Sequence, residues 1–426
     1  MNIERRHLLT RTAYAAALFG LPIETEANAA PALPDTKLLD RDPEAYWALI
    51  RKEQFLLPEW RAFLNCGTLG VAPKPVLEAV TNYLYRAAAL DVEELQAPQW
   101  GFQTLDEIRQ ELSEFLGCRK EELALTHNTT TGMNIVANGL DLNPGDEVVI
   151  TDQEHPSGIH CWLQKQARIG ISVREAKIPI PPKSPEEVTE ALISAIGPRT
   201  RVLSFSGIAY TTGLILPIRQ ISEAARDKGV ITVVDAAHLC GQVPINLHEL
   251  GCDFFASSPH KWMLAPAGCG ILYGRDDMLN RLWANVATSS WAKTDIAGAR
   301  HQMIGTNNMA IFEGYGAALR FLKQLGPENV YSRIHQLATK TFQRVRALPY
   351  LEKVLSADDD RMYAGMVSFL FKEGDWQKVE ELVKKRKIWI FARHRTRIST
   401  HIHTRLSDLD LFFEAVEDAL GRGKKA

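Results

Sequence analysis

Short runs of almost unbroken apolar residues, set apart by stretches of helical length, dictate a layered architecture. Glu147-Val148-Val149-Ile150-Thr151, Arg201 to Ser206, Ile231-Thr232-Val233-Val234-Asp235, Asp253 to Ser257 and Gly270-Ile271-Leu272-Tyr273 read as strands, with Leu123-Ala124-Leu125 a shorter one. Helices lie between them. Leu105, Ile108, Leu112, Phe115 and Leu116 recur at helical spacing before Gly117. Ser184-Pro185-Glu186-Glu187 opens another with a cap and a first-position proline, and Pro217 to about Lys228 forms a third, ended by Gly229. Strands that do not alternate are buried on both faces, so the expected fold is α/β, a mostly parallel sheet between helices. Ligands of such sheets sit at the carboxyl ends of the strands. The polar clusters 126–132 and 152–158, and Asp235, fall there.

The chain is long enough for more than one core: 426 residues, 46% hydrophobic and 23% charged, with a mean hydropathy of -0.15. After about residue 305 charged helices mix with shorter strands. The expected division is an N-terminal segment, 30–60, packing on the small domain; a large domain, 61–305; and a small α+β domain, 306–426. Lys+Arg is 49 against Asp+Glu 51, so nothing drives the chain toward nucleic acid. Six cysteines are too few for a disulfide scaffold, and none is expected to be bridged. The last residues, Gly421 to Ala426, read as a frayed tail.

The beginning reads as an address. Arg5-Arg6 precede Leu8-Leu9, an apolar stretch runs from about Ala13 to Ile23, and Ala27-Asn28-Ala29 is a small-x-small cleavage pattern. Paired arginines specify the twin-arginine route. Residues 1–29 are therefore expected to be a removable signal that engages the twin-arginine export machinery, giving a periplasmic protein. The apolar stretch is shorter than the ~20 residues of a membrane span, so no membrane insertion is expected after maturation. This route carries proteins already folded, which suits a cofactor loaded before export.

Two segments carry candidate chemistry. Asp235 ends a central apolar strand, where a carboxylate is costly unless it meets a cation or a donor; a protonated pyridine nitrogen and the next helix start both qualify. Lys261, between Pro259-His260 and Trp262, follows the next apolar strand. A desolvated lysine tends toward the neutral amine that Schiff-base chemistry requires. Asn128-Thr129-Thr130-Thr131-Gly132 follows a strand and opens a helix, a suitable place for a phosphate dianion.

The Asp235-Ala236-Ala237-His238 and Ser258-Pro259-His260-Lys261 segments resemble the class V aminotransferase family of fold-type I pyridoxal-phosphate (PLP) enzymes. That family includes isopenicillin N epimerases, cysteine desulfurases and kynureninases, and the resemblance spans about residues 60 to 420. It implies PLP as cofactor and a large domain with a seven-stranded sheet. It implies Lys261 as the Schiff-base lysine, Asp235 on the pyridine nitrogen and His238 near the phenolic oxygen. Ser258, His260, Thr129 and Thr130 would reach the phosphate. His155 would stack on the ring. Gly305-Thr306 resembles the segment by which a partner subunit completes the phosphate cradle, which implies a homodimer with shared active sites. Arg397, in Arg395-Thr396-Arg397-Ile398-Ser399, would grip a substrate α-carboxylate through its planar fork, with Arg393 and Arg395 as neighbouring alternatives. Tyr210 departs from the family's Asn or Ser. His401-Ile402-His403 and His394 lack a partnering cluster, so no metal is expected. Trp100, Trp262 and Trp291 are candidates to line a wide cleft, core packing being the alternative for each.

Desulfurases need a cysteine on a mobile C-terminal loop, and the last cysteine here is Cys269, in a strand-like run. An exported family member resembles the periplasmic PLP enzymes of fluorescent pseudomonads that tailor the siderophore pyoverdine. That implies a peptide substrate with a glutamyl residue whose α-amino and α-carboxyl groups are free, altered toward a succinamide-type side chain. Two other readings are a PLP epimerase or aminotransferase on a small amino acid, and a catalytically silent exported binding protein.

Overall fold

The computed structural model describes residues 32–89 and 102–421. The expected signal, Trp100 and the last five residues lie outside the described residues. The strands are β1 (Ala62–Leu64), β2 (Leu123–Thr126), β3 (Glu147–Thr151), β4 (Ser172–Ala176), β5 (Thr200–Ser206), β6 (Ile231–Asp235), β7 (Phe254–Ser257), β8 (Gly270–Gly274), β9 (Leu351–Val354), β10 (Met366–Phe371), β11 (Ile388–Ile390) and β12 (Arg395–Ser399).

A seven-stranded sheet of order β2-β8-β7-β6-β5-β3-β4 dominates. The pairs β4–β3, β3–β5, β5–β6 and β6–β7 are parallel, and β8 runs antiparallel to both its neighbours. Successive residues serve opposite faces. Val148, Ile150, Val202, Val233 and Phe254 enter one core cluster; Val149, Leu203, Val234 and Phe255 enter another. Helices cover both faces, as unalternating strands require. The strand β4 was not anticipated. It is an edge strand reading Ser-Val-Arg-Glu-Ala, half exposed, and so lacks the apolar run of its buried neighbours.

A second core forms around an antiparallel sheet of order β12-β10-β9. Its boundary differs from the one expected at 305/306. The helix Met309–Leu325 packs through Phe312, Tyr315, Leu319 and Leu322 into the core of the larger unit. In the other direction, β1 pairs in parallel with β11, so residues 62–64 join the C-terminal unit. The helix Pro43–Gln54 serves both: Tyr46, Trp47 and Ile50 enter the larger core, while Arg51 donates to the His403 carbonyl at 2.6 Å. All six cysteines carry free thiols. No described helix is long and apolar enough to cross a membrane.

Candidate active site

The carboxyl ends of β3, β5, β6 and β7 surround a cavity of about 250 Å³ lined by Thr129, Thr130, His155, Tyr210, Asp235 and Lys261, with Thr68, Ser206, His238, Ser258 and His260 among its other walls. The buried Asp235 accepts the Ala237 N–H through Oδ1 at 3.0 Å. Its Oδ2 faces Gly158, where a Cβ would come within 2.9 Å, so the helix Pro156–Ile169 approaches the carboxylate only because that residue is glycine. Burial pushes the Asp235 carboxyl up, against the Ala237 N–H and the Lys261 charge.

The start of the helix Thr129–Gly139 also lines the cavity. Asn128 caps it, accepting the Thr131 N–H at 2.9 Å. Ser258, just past β7, accepts the Thr129 N–H at 2.8 Å and shares a hydrogen bond with its hydroxyl at 2.7 Å. Nδ1 of His260 is buried with no hydrogen-bond partner, and burial holds that imidazole neutral, at about 4.

In the same cavity Lys261 Nζ stands 3.1 Å from His238 Nε2. The other His238 nitrogen, Nδ1, accepts the Trp262 indole N–H at 3.1 Å. Burial pushes Lys261 down to about 8, partly offset by Asp235. His155 caps its helix, Nδ1 accepting the Ser157 N–H at 3.2 Å, and meets the Tyr210 ring edge-on at 4.9 Å.

A strap after β1 closes the front. Gly70 donates to the His260 carbonyl at 2.9 Å, and a Cβ there would sit 2.1 Å from the Lys261 carbonyl. Arg397 lies behind this strap rather than in the cavity wall. Its Nη1 donates to the Tyr210 carbonyl at 2.7 Å and its Nη2 to Thr68 Oγ1 and Asn65 Oδ1 at 3.2 and 3.3 Å.

A family model described as Aminotransferase class-V matches residues 65–409. The chain belongs to the class V aminotransferase family. It is 30% identical over 389 residues to an isopenicillin N epimerase of Streptomyces clavuligerus, covering 84% of this chain and 94% of that protein. It is 35% identical over 329 residues to an isopenicillin N epimerase of Amycolatopsis lactamdurans, covering 73% and 81%. A solved structure of a C-DES mutant, with glycine covalently linked to the PLP cofactor, superposes with a TM-score of 0.74 at 26% identity, covering 84% of this chain and 96% of that one. This is the fold-type I architecture, and this class V protein is a PLP-dependent enzyme.

The cavity's own groups fit that cofactor. A helix N-terminus with Thr129, Thr130, Ser258 and the unpartnered His260 nitrogen suits a phosphate. Asp235 suits a protonated pyridine nitrogen. A lysine amine with a lowered pKa suits an aldehyde.

Most site residues expected from the sequence converge on this one cavity of the class V fold, and two stand apart. Arg397 is in the second layer, and Thr306 is exposed on the segment before Met309–Leu325, outside the cavity walls of its own chain. Of the tryptophans, Trp262 is fully buried and touches His238, whereas Trp291 is exposed and stacked on Trp283; neither lines this cavity. Arg393 is exposed. His401 and His403 are buried, and no described cluster of His, Cys, Asp or Glu could hold a metal ion. Sequence reasoning passed over Thr68 and Asn65. The signal available was Asn65-Cys66-Gly67-Thr68-Leu69-Gly70, a small, glycine-rich stretch directly after an apolar strand.

Proposed function

We propose that this class V enzyme works in the periplasm, exported folded with its cofactor by the twin-arginine machinery, on a siderophore precursor of the pyoverdine type. The reactive part of the substrate is a glutamyl residue with free α-amino and α-carboxyl groups, altered toward a succinamide-type side chain. The single observation that carries an amino-acid reaction is Lys261 Nζ, with a lowered pKa, 3.1 Å from His238 Nε2 in the cavity that Asp235 also lines. An amine so placed also speaks against a silent binding protein. PLP, when bound, supplies an electron sink for the bonds at the substrate Cα.

The chain's own groups then divide the work. Lys261 would hold the cofactor and move protons at Cα. Asp235 would keep the ring nitrogen protonated, which its buried carboxylate favours over a neutral ring. Thr129, Thr130, Ser258 and His260 would bind the phosphate, joined by Thr306 of a partner copy in a homodimer with shared sites. His155, its Nδ1 engaged as a cap, would present a ring face to the cofactor. Arg397 would receive the α-carboxylate once Thr68 and Tyr210 yield some of its donors. Desulfuration is disfavoured because the last cysteine, Cys269, is fully buried beside β8.

Turning an α-amino acid end into an amide one carbon shorter consumes one dioxygen and releases one carbon dioxide and one water. The test is a peptide labelled at the glutamyl α-carboxyl carbon. Release of labelled carbon dioxide with matching oxygen uptake supports the reading; full retention of label rejects it. Retention would leave epimerisation or transamination, the second reading, which the two isopenicillin N epimerase relatives favour.

A further inference from the structure

We infer that Trp262 is a positioning residue, whose indole N–H locks His238 as the Nε2–H tautomer and so aims that proton at Lys261 and the cofactor site. The inference rests on the PLP reading for its consequence, though not for its geometry. An indole nitrogen can only donate. At 3.1 Å it obliges His238 Nδ1 to accept. A neutral imidazole carries one N–H, which must then be on Nε2, 3.1 Å from Lys261 Nζ. His238 is 3% exposed and its protonated form is strongly disfavoured by burial and by Lys261, so the neutral ring is the relevant species. An ammonium at Lys261 would face an N–H, and only the neutral amine offers a lone pair. Trp262 thus favours the nucleophilic form of the lysine through the histidine between them.

The tryptophan is itself held. Its ring stacks on His401 at 5.8 Å and 27°. His401 Nδ1 accepts the Ile402 N–H at 2.8 Å, which leaves its proton on Nε2, and that nitrogen donates to the Trp262 carbonyl at 2.9 Å. A Cβ at Gly365 would come within 2.5 Å of the indole. Two tautomers are therefore fixed in series, from the segment after β12 to the lysine. The His401-Ile402-His403 motif, which holds no metal cluster, acquires a purpose: His401 is the seat of the tryptophan.

The test uses full-length apoprotein with selectively 15N-labelled histidine, the His238 signals being assigned by their loss in His238→Gln. The wild type should show His238 only as the neutral Nε2–H form. Trp262→Phe, which removes the donor and keeps an aromatic ring, should release the second tautomer and slow covalent PLP uptake roughly three- to tenfold, the effect of one hydrogen bond. In the His238→Gln background, whose amide donor needs no tautomer, Trp262→Phe should have no further effect on uptake. Wild-type His238 with a proton on Nδ1, or an equal slowing in both backgrounds, overturns the inference. The wild-type spectrum decides even if Trp262→Phe fails to fold. If the wild type forms no borohydride-stable link between PLP and Lys261, the cofactor reading falls instead, and the tautomer is still read from the apoprotein.

Discussion

Arg397 Nη1 donates to the backbone carbonyl of Tyr210 at 2.7 Å, joining β12 of the C-terminal unit to the loop that follows β5. Because Tyr210 lines the cavity and Thr68 takes a second guanidinium bond, this arginine shapes the site from behind. Burial lowers it to about 10, which leaves it charged at neutral pH.

A lysine at that position could not make both sets of bonds. Arg397→Lys should lower kcat/KM for a substrate with a free α-carboxylate by roughly ten- to a hundredfold. Kinetics with the matching α-amide should show no such loss. Equal losses on both ligands would restrict Arg397 to holding Tyr210 and Thr68 in place.

Covalent uptake of PLP should follow the neutral fraction of Lys261. Burial pushes that amine from 10.5 to about 8, so the rate in apoprotein should rise about tenfold per pH unit at lower pH and level off above about 8. Stopped-flow absorbance across the range would show it. A midpoint near the ordinary lysine value would mean the amine is solvated. Lys261→Ala should form no adduct and keep the fold.

Asp235→Asn keeps the Ala237 bond, since an amide oxygen can accept at the Oδ1 position. PLP should still bind, while turnover falls on the order of a hundredfold or more, as for other lost electrostatic partners. The uptake midpoint should also move below that of the wild type, because Asp235 is the chief group holding the Lys261 pKa up. Native turnover would reject the pyridinium assignment.

Glu154 Oε1 and Oε2 accept from Thr151, the Ser206 N–H and the Ser206 hydroxyl, yet burial still pushes the carboxyl from 4.5 to about 7. Between those values the folded chain binds a proton that the unfolded chain does not. Stability is therefore fully present below about 4.5 and is lost as pH rises through about 7. The loss is on the order of 3 kcal/mol. Glu154→Gln should remove most of it. Urea unfolding at mildly acidic and mildly alkaline pH, on both proteins, is the measurement; parallel losses would show that Glu154 ionises freely.

Lys261, Asp235 and the Thr129 helix start were legible because each stands at or within a few residues of the end of an apolar run, and strand ends in a parallel sheet share one rim. β4 was hidden because an edge strand need not be apolar. Thr68 and Asn65 were hidden because they follow a three-residue strand whose partner is β11, far along the chain. The bond between Trp262 and His238 could not be read at all: Pro-His-Lys-Trp fixes an order of residues, while the meeting of indole and imidazole depends on how the turn after β7 folds back beside β6.

The pairing of β1 with β11 sets an order of assembly. Residues 62–64 are made long before their partners, 388–390. The strap that reaches from β1 to the His260 carbonyl is anchored there also by Cys66, whose N–H donates to the Ser399 carbonyl at 3.4 Å. Contacts so far apart in sequence form late and carry a large loop-closure cost. The seven-stranded sheet can gather Asp235, Lys261 and the helix start before β11 and β12 are made, but the front of the cavity closes only once those two strands are available. A nascent or truncated chain would thus present an open lysine before it presents an enclosed site.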